Sequence, residues 1–113
     1  MLKRKLILIG VLLLLLTGCS KVTGHSYFND HISTIEEHLE FAEWSFLVEQ
    51  ANNLKTLYDN QQWKLQLLGD EGEYEGLNES IHRLIKATEQ QDTTQAKLEL
   101  ATIKVIINDI YSL

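Results

Sequence analysis

His31 and His38 lie seven residues apart with Glu37 between them, a spacing that returns to one face of a helix and could bring two imidazoles to one metal ion. Glu79 and His82 supply one Glu-x-x-His step, a pattern that di-iron carboxylate bundles use on two helices, with glutamates from two more. Here it occurs once, and the place 49 residues earlier holds Asp30 and Ser33. The set is incomplete. His31, His38, Glu79 and His82 are the candidates for a metal, but they are expected to be solvated groups on helix surfaces, and no cofactor is expected. The acids Asp70, Glu71, Glu73 and Glu75 do not make a calcium loop, because Gly72 and Tyr74 stand where an EF-hand places oxygen ligands. Their expected role is to favour the positive N-terminal end of a helix. There is no Gly-x-Ser-x-Gly, no second cysteine and no glycine-rich phosphate cradle, and no spacing links a nucleophile to a base. The chain is not expected to be an enzyme.

Aromatic residues are the remaining candidates. Phe41, Trp44 and Phe46 crowd together, with Tyr58 and Trp63 following. Trp63, flanked by Gln61, Gln62 and Lys64, falls off the apolar stripe of its helix. It is expected to pack the flank of the domain against the third helix; the alternative is an exposed anchor for a partner. Trp44, Trp63 and Phe41 are thus the candidate partner contacts.

These groups need a location and a scaffold. Lys3, Arg4 and Lys5 precede an apolar run from Leu6 to Leu16, broken only by Gly10, and Thr17-Gly18-Cys19 follows. That order is a secretory signal peptide. As a helix at about 1.5 Å per residue the run covers only about half of a 30 Å hydrocarbon core, so a spanning anchor is the second choice. Leu16-Thr17-Gly18-Cys19 resembles the bacterial lipobox. The resemblance implies cleavage between Gly18 and Cys19 and a lipid on the Cys19 thiol, with the mature protein held on the extracytoplasmic face of the cell membrane. Each buried methylene contributes about 0.8 kcal/mol of membrane affinity, so two acyl chains anchor where one binds marginally.

Cleavage leaves residues 19–113, enough for one small domain. Removal of Lys3, Arg4 and Lys5 leaves 7 of the 10 basic residues against 16 acids, a net charge of −9. Such a surface repels nucleic acid phosphates and anionic lipid headgroups, and neither is an expected partner. With Cys19 acylated no thiol remains for a disulfide, so packing must hold the domain. Proline is absent, which suits a chain that is nearly all helix.

Residues 20–26 are small, polar and aperiodic, and are expected, with lipidated Cys19, to form a tether (19–26) to a helical domain over 27–113. Within that domain four apolar stripes recur at helical spacing: Phe28, Ile32, Ile35, Leu39; Leu47, Ala51, Leu54, Tyr58, Leu65, Leu68; Leu77, Ile81, Leu84, Thr88; and Ala96, Leu100, Ile103, Ile107, Ile110. A corner is predicted near residues 41–45, a loop over residues 69–76, and an N-cap at Asp92 with Gln95 as its capping-box partner. A shift of 49 residues lays the first two stripes on the last two and reproduces the eight-residue slip between Leu39 and Leu47 at Thr88 and Ala96. Two similar helical hairpins follow. They pack most simply as an all-α antiparallel four-helix bundle; the alternative is two hairpins stacked as a short solenoid.

The stretches "EWSFLVEQANNL" (43–54), Trp63, "LNESIHRL" (77–84) and "AKLELATIKVIINDI" (96–110) resemble a bacterial family with a domain of unknown function, small chains with one N-terminal hydrophobic segment before a helical domain. The resemblance implies a membrane-attached helical domain on the outer face, in a Gram-positive envelope, and brings no activity or site residues. The expected function is a protein-interaction or structural module of the envelope, with another envelope protein as partner; the alternative is a helical module holding a metal ion or small ligand.

Overall fold

The computed structural model describes residues 4, 7–9 and 24–112. Gly18, Cys19 and most of the leader and tether, on which the cleavage and lipidation expectations fall, lie outside the described residues. Four helices make the domain: α1 (Gly24–Leu39), α2 (Trp44–Leu68), α3 (Glu71–Glu89) and α4 (Thr93–Tyr111). No strand occurs among the described residues.

Each helix forms because one stripe can be buried, and the stripes are those the spacing predicts, except that Leu68, the last member expected on α2, is half-buried at the edge of the core. Phe28, Ile32, Ile35 and Leu39 are buried on α1, Leu47, Ala51, Leu54, Tyr58 and Leu65 on α2, Leu77, Ile81 and Leu84 on α3, and Ala96, Leu100, Ile103, Ile107 and Ile110 on α4. They meet in one core. Thr88 enters it because its hydroxyl donates to the Ile85 carbonyl at 2.7 Å. A buried hydroxyl without such an acceptor would destabilise the core.

Neighbouring helices pack in the order α1, α2, α3, α4, and α1 packs against α4 to close the ring. Ring closure selects the bundle over the stacked row. Every adjacent pair runs antiparallel. Toward one end, His38 stacks on Phe46 between α1 and α2, and Arg83 pairs with Glu99 between α3 and α4. Toward the other, Gly24 lies against Tyr111 and Gln61, and Tyr58 donates to the Tyr74 carbonyl at 3.1 Å.

The 49-residue shift extends to the backbone. Trp44 and Thr93 are both first residues of their helices. Among the described residues, two non-glycine residues have positive φ, Ala42 (50°) and Gln91 (56°), also 49 apart. Their amides donate to the matching carbonyls of Leu39 and Thr88, each at 3.2 Å. Both corners therefore make the same left-handed step, within residues 40–43 and 90–92, although the second is one residue shorter and is closed by the Asp92 amide donating to the Ala87 carbonyl at 2.9 Å.

Three boundaries differ from the expectation. The first corner sits slightly earlier than residues 41–45, with Trp44 already helical. The stretch predicted as a loop is helix from Glu71 onward, leaving Gly69 and Asp70 as the link. Asp70 accepts from the Glu73 amide at 2.8 Å while Glu73 accepts from the Asp70 amide at 3.0 Å, a complete capping box that outweighs the helix cost of Gly72 and Gly76. The expected tether is also shorter, because α1 begins at Gly24. Gly24 is buried there, and a Cβ at that position would run into the Tyr111 hydroxyl. A larger residue there would require the Tyr111 side chain to shift.

Candidate functional site

The bundle has two unlike ends, set by the direction of α1. Its N-terminus, the C-termini of α2 and α4 and the start of α3 share the end that receives the chain from the leader. The two positive-φ corners share the other.

At the corner end Phe41 is 69 % exposed. It sits one residue before Ala42, whose left-handed backbone turns the chain so sharply that the ring finds no neighbour to cover it. Behind it Trp44 is half-buried and packs on the core. Trp44, Ser45 and Val48 of α2 face Thr88 and Glu89 of α3 and Gln91 of the second corner across a groove of about 270 Å³. The His38 ring, 4.3 Å from that of Phe46, braces the corner from below, with Nδ1 2.9 Å from the Thr34 carbonyl.

At the opposite end Trp63 is 61 % exposed, with exposed Leu67 one turn further along α2. The expected flank packing of Trp63 is therefore incorrect. Its position off the stripe points the indole away from α3, and the Lys64 ammonium lies 5.4 Å from the ring centroid. The exposed-anchor alternative describes its surroundings. Trp63 does not join Phe41 and Trp44 in one patch, since the helical rise from residue 44 to residue 63 separates the two tryptophans by about 28 Å. Around α1's first turn, His25 Nε2 lies 3.0 Å from Asn108 Oδ1 and 3.1 Å from Asn29 Nδ2.

The histidines and acids are not gathered. His31 and His38 are half-buried, while His82 is exposed. Glu79 turns to Arg83 at 3.7 Å, away from any metal-binding role with His82. Among the described residues no three His, Cys, Asp or Glu side chains converge on a point that could hold a metal ion. The sequence reading missed a polar cluster between α3 and α4. Glu99 Oε1 accepts from Arg83 Nε at 2.9 Å and from Gln95 Nε2 at 2.8 Å, and Arg83 Nη2 lies 3.1 Å from the buried Ser80 hydroxyl. The signal was present: Glu99 stands three residues after Ala96 and four before Ile103, on the core side of its helix. Because Gln95 reaches Glu99, it does not close the expected capping box; Asp92 still caps α4 by accepting from the Gln95 amide at 3.0 Å.

A second groove, about 360 Å³, runs between α1 and α4, lined by Glu36, Leu39 and Glu40 on one side and Lys97, Leu100, Ala101 and Lys104 on the other. No described helix is long and apolar enough to cross a membrane.

The chain belongs to the family described as Domain of unknown function (DUF4363), whose model matches residues 22–113. No curated protein and no solved structure matches it.

Proposed function

We propose that this DUF4363 chain is a lipid-anchored extracytoplasmic protein whose helical domain holds an envelope protein at its membrane-distal end. The lipobox-like Leu16-Thr17-Gly18-Cys19 after a basic and apolar leader supports the anchor. The five steps from Cys19 to Gly24 can span at most about 18 Å, so an acylated Cys19 holds the first turn of α1 close to the bilayer. Trp63 and Leu67 then stand near the headgroups, where an indole with one polar edge is favoured. The two corners face the envelope.

Phe41 is the single observation that carries the partner site. A phenyl ring this exposed at the distal tip, three residues before Trp44, which lines the corner groove, is the arrangement of an anchor residue waiting for a pocket. A photo-crosslinking amino acid at position 41, expressed in intact cells, is expected to yield one dominant protein adduct. Position 53, on the outer face of α2, should not. No adduct at 41, with helicity intact, would remove the partner site. The anchor has its own check: labelled fatty acid should enter the protein and be lost in Cys19→Ser.

A further inference from the structure

We propose that the outer face of α4 is a seam for a second copy of this chain, paired in parallel on the membrane. The proposal rests on the lipid-anchored reading. One apolar stripe is enough to hold a helix in a bundle, and α4 already buries Ala96, Leu100, Ile103, Ile107 and Ile110. It bears another. Leu98 and Val105 are 58 % and 59 % exposed, with exposed Ala101 between them, and no described residue covers them. Thr94, Leu98, Ala101, Val105, Asn108 and Ser112 advance by alternate steps of four and three, which is a heptad seam with a three-residue apolar centre. The small Ala101 at its middle lets two helices approach closely.

Charge and anchoring both point to a like copy in parallel. Copies anchored to one face of a bilayer are related by a two-fold axis along the membrane normal, which sets α4 parallel to α4 of the second copy. In a parallel pair the residue just before one seam position meets the residue five further on in the partner helix. That rule places Lys104 opposite Asp109 of the second copy, and Asp109 opposite the second copy's Lys104. In the antiparallel alternative Lys97 and Lys104 would face the same two lysines, a like-charge contact. Lys104 is available for the exchange, since its ion pair to Glu36 is long, 3.7 Å, and both side chains are about half exposed. A seam on one helix falls at the small end of stable interfaces, so pairing depends on confinement to the bilayer, which raises the effective concentration.

The test uses the full chain in its own membranes. Ala101→Cys places a thiol near the two-fold axis, and mild oxidation is expected to drive most of the protein into a band of twice the mass, containing a peptide that joins residue 101 to itself. Asn53→Cys, on the outer face of α2, is the control. Adding Lys104→Asp should cut the yield several-fold, and adding Asp109→Lys to that variant should restore it. Position 101 giving no more dimer than position 53, a failed charge-swap rescue, or a linked peptide from another protein would each overturn the pairing. Failure of the anchor is read separately, as a free Cys19 thiol and loss of the chain from the membrane fraction.

Discussion

Glu99 is a carboxylate with about one-twentieth of its side chain exposed, and its stability depends on which partner is removed. Oε1 has two donors while Oε2 is buried without one. Arg83 is half exposed and stays solvated when alone. Arg83→Ala therefore strands a buried charge and is expected to cost about 2 kcal/mol, whereas Glu99→Leu, which removes the charge and adds apolar packing, should cost well under half of that. Urea unfolding of the two variants checks the asymmetry; equal losses would mean that the cluster acts by packing alone. The tyrosines respond to alkali. Burial raises the phenol of Tyr111 above its ordinary value, and burial followed by the charges of Asp59, Tyr74 and Glu75 raises that of Tyr58. Unfolding lets both protons leave more easily, so their contribution is complete below the unfolded pKa of about 10 and disappears as pH rises past it. Melting temperatures between about pH 8 and 11 should fall less steeply in Tyr58→Phe/Tyr111→Phe than in the wild type, from a lower start because the bond to the Tyr74 carbonyl is gone.

The helices and their ends separate what pattern alone conveys from what it does not. Apolar spacing located all four buried stripes, because a residue such as Ile103 or Leu54 has no alternative to the core. It misplaced the start of α3, where local glycine content argues for a loop and a reciprocal side-chain cap overrides it. It also missed Gly24, whose burial depends on Tyr111 at the far end of the chain, a contact with no local signature. Both corners have a non-glycine residue in the left-handed region. For an L-residue that conformation costs about 1 to 2 kcal/mol. Ala42→Gly and Gln91→Gly should each stabilise the domain by up to about 1 kcal/mol, the gain being reduced by the looser unfolded chain. The matched helix starts differ in their caps: Asp92 caps α4, while Glu43, at the equivalent place, makes no side-chain bond to α2. Glu43→Asp should therefore add about 0.5 to 1 kcal/mol, and Asp92→Ala should lose about 1. Thermal melts of the four variants give the signs; a destabilised Ala42→Gly would show that the turn is not strained.

At the scale of the molecule, the repeated spacing implied two hairpins without fixing how they face each other, since a stripe states that a helix is buried and not against what. The contact of α1 with α4 supplies that missing relation. It also puts the domain's first and last helical turns side by side, with Gly24 against Tyr111. Helix axes in contact lie about 8 to 10 Å apart. Four linker residues, five steps of the chain, reach about 18 Å and can therefore join the two ends of a closed ring. In a stacked row α1 and α4 would be three helix spacings apart, about 30 Å, beyond that reach. A circular permutant that joins Ser112 to Gly24 through four glycine and serine residues and opens the chain between Gln90 and Gln91 should keep its helical spectrum and unfold in one transition. It should melt lower than the parent, because opening that corner unties the turn in which the Gln91 and Asp92 amides donate to the Thr88 and Ala87 carbonyls and makes the α3–α4 pairing non-local. A permutant that loses its helicity, while one with a linker of about ten residues regains it, would show the ends to be apart and the ring open.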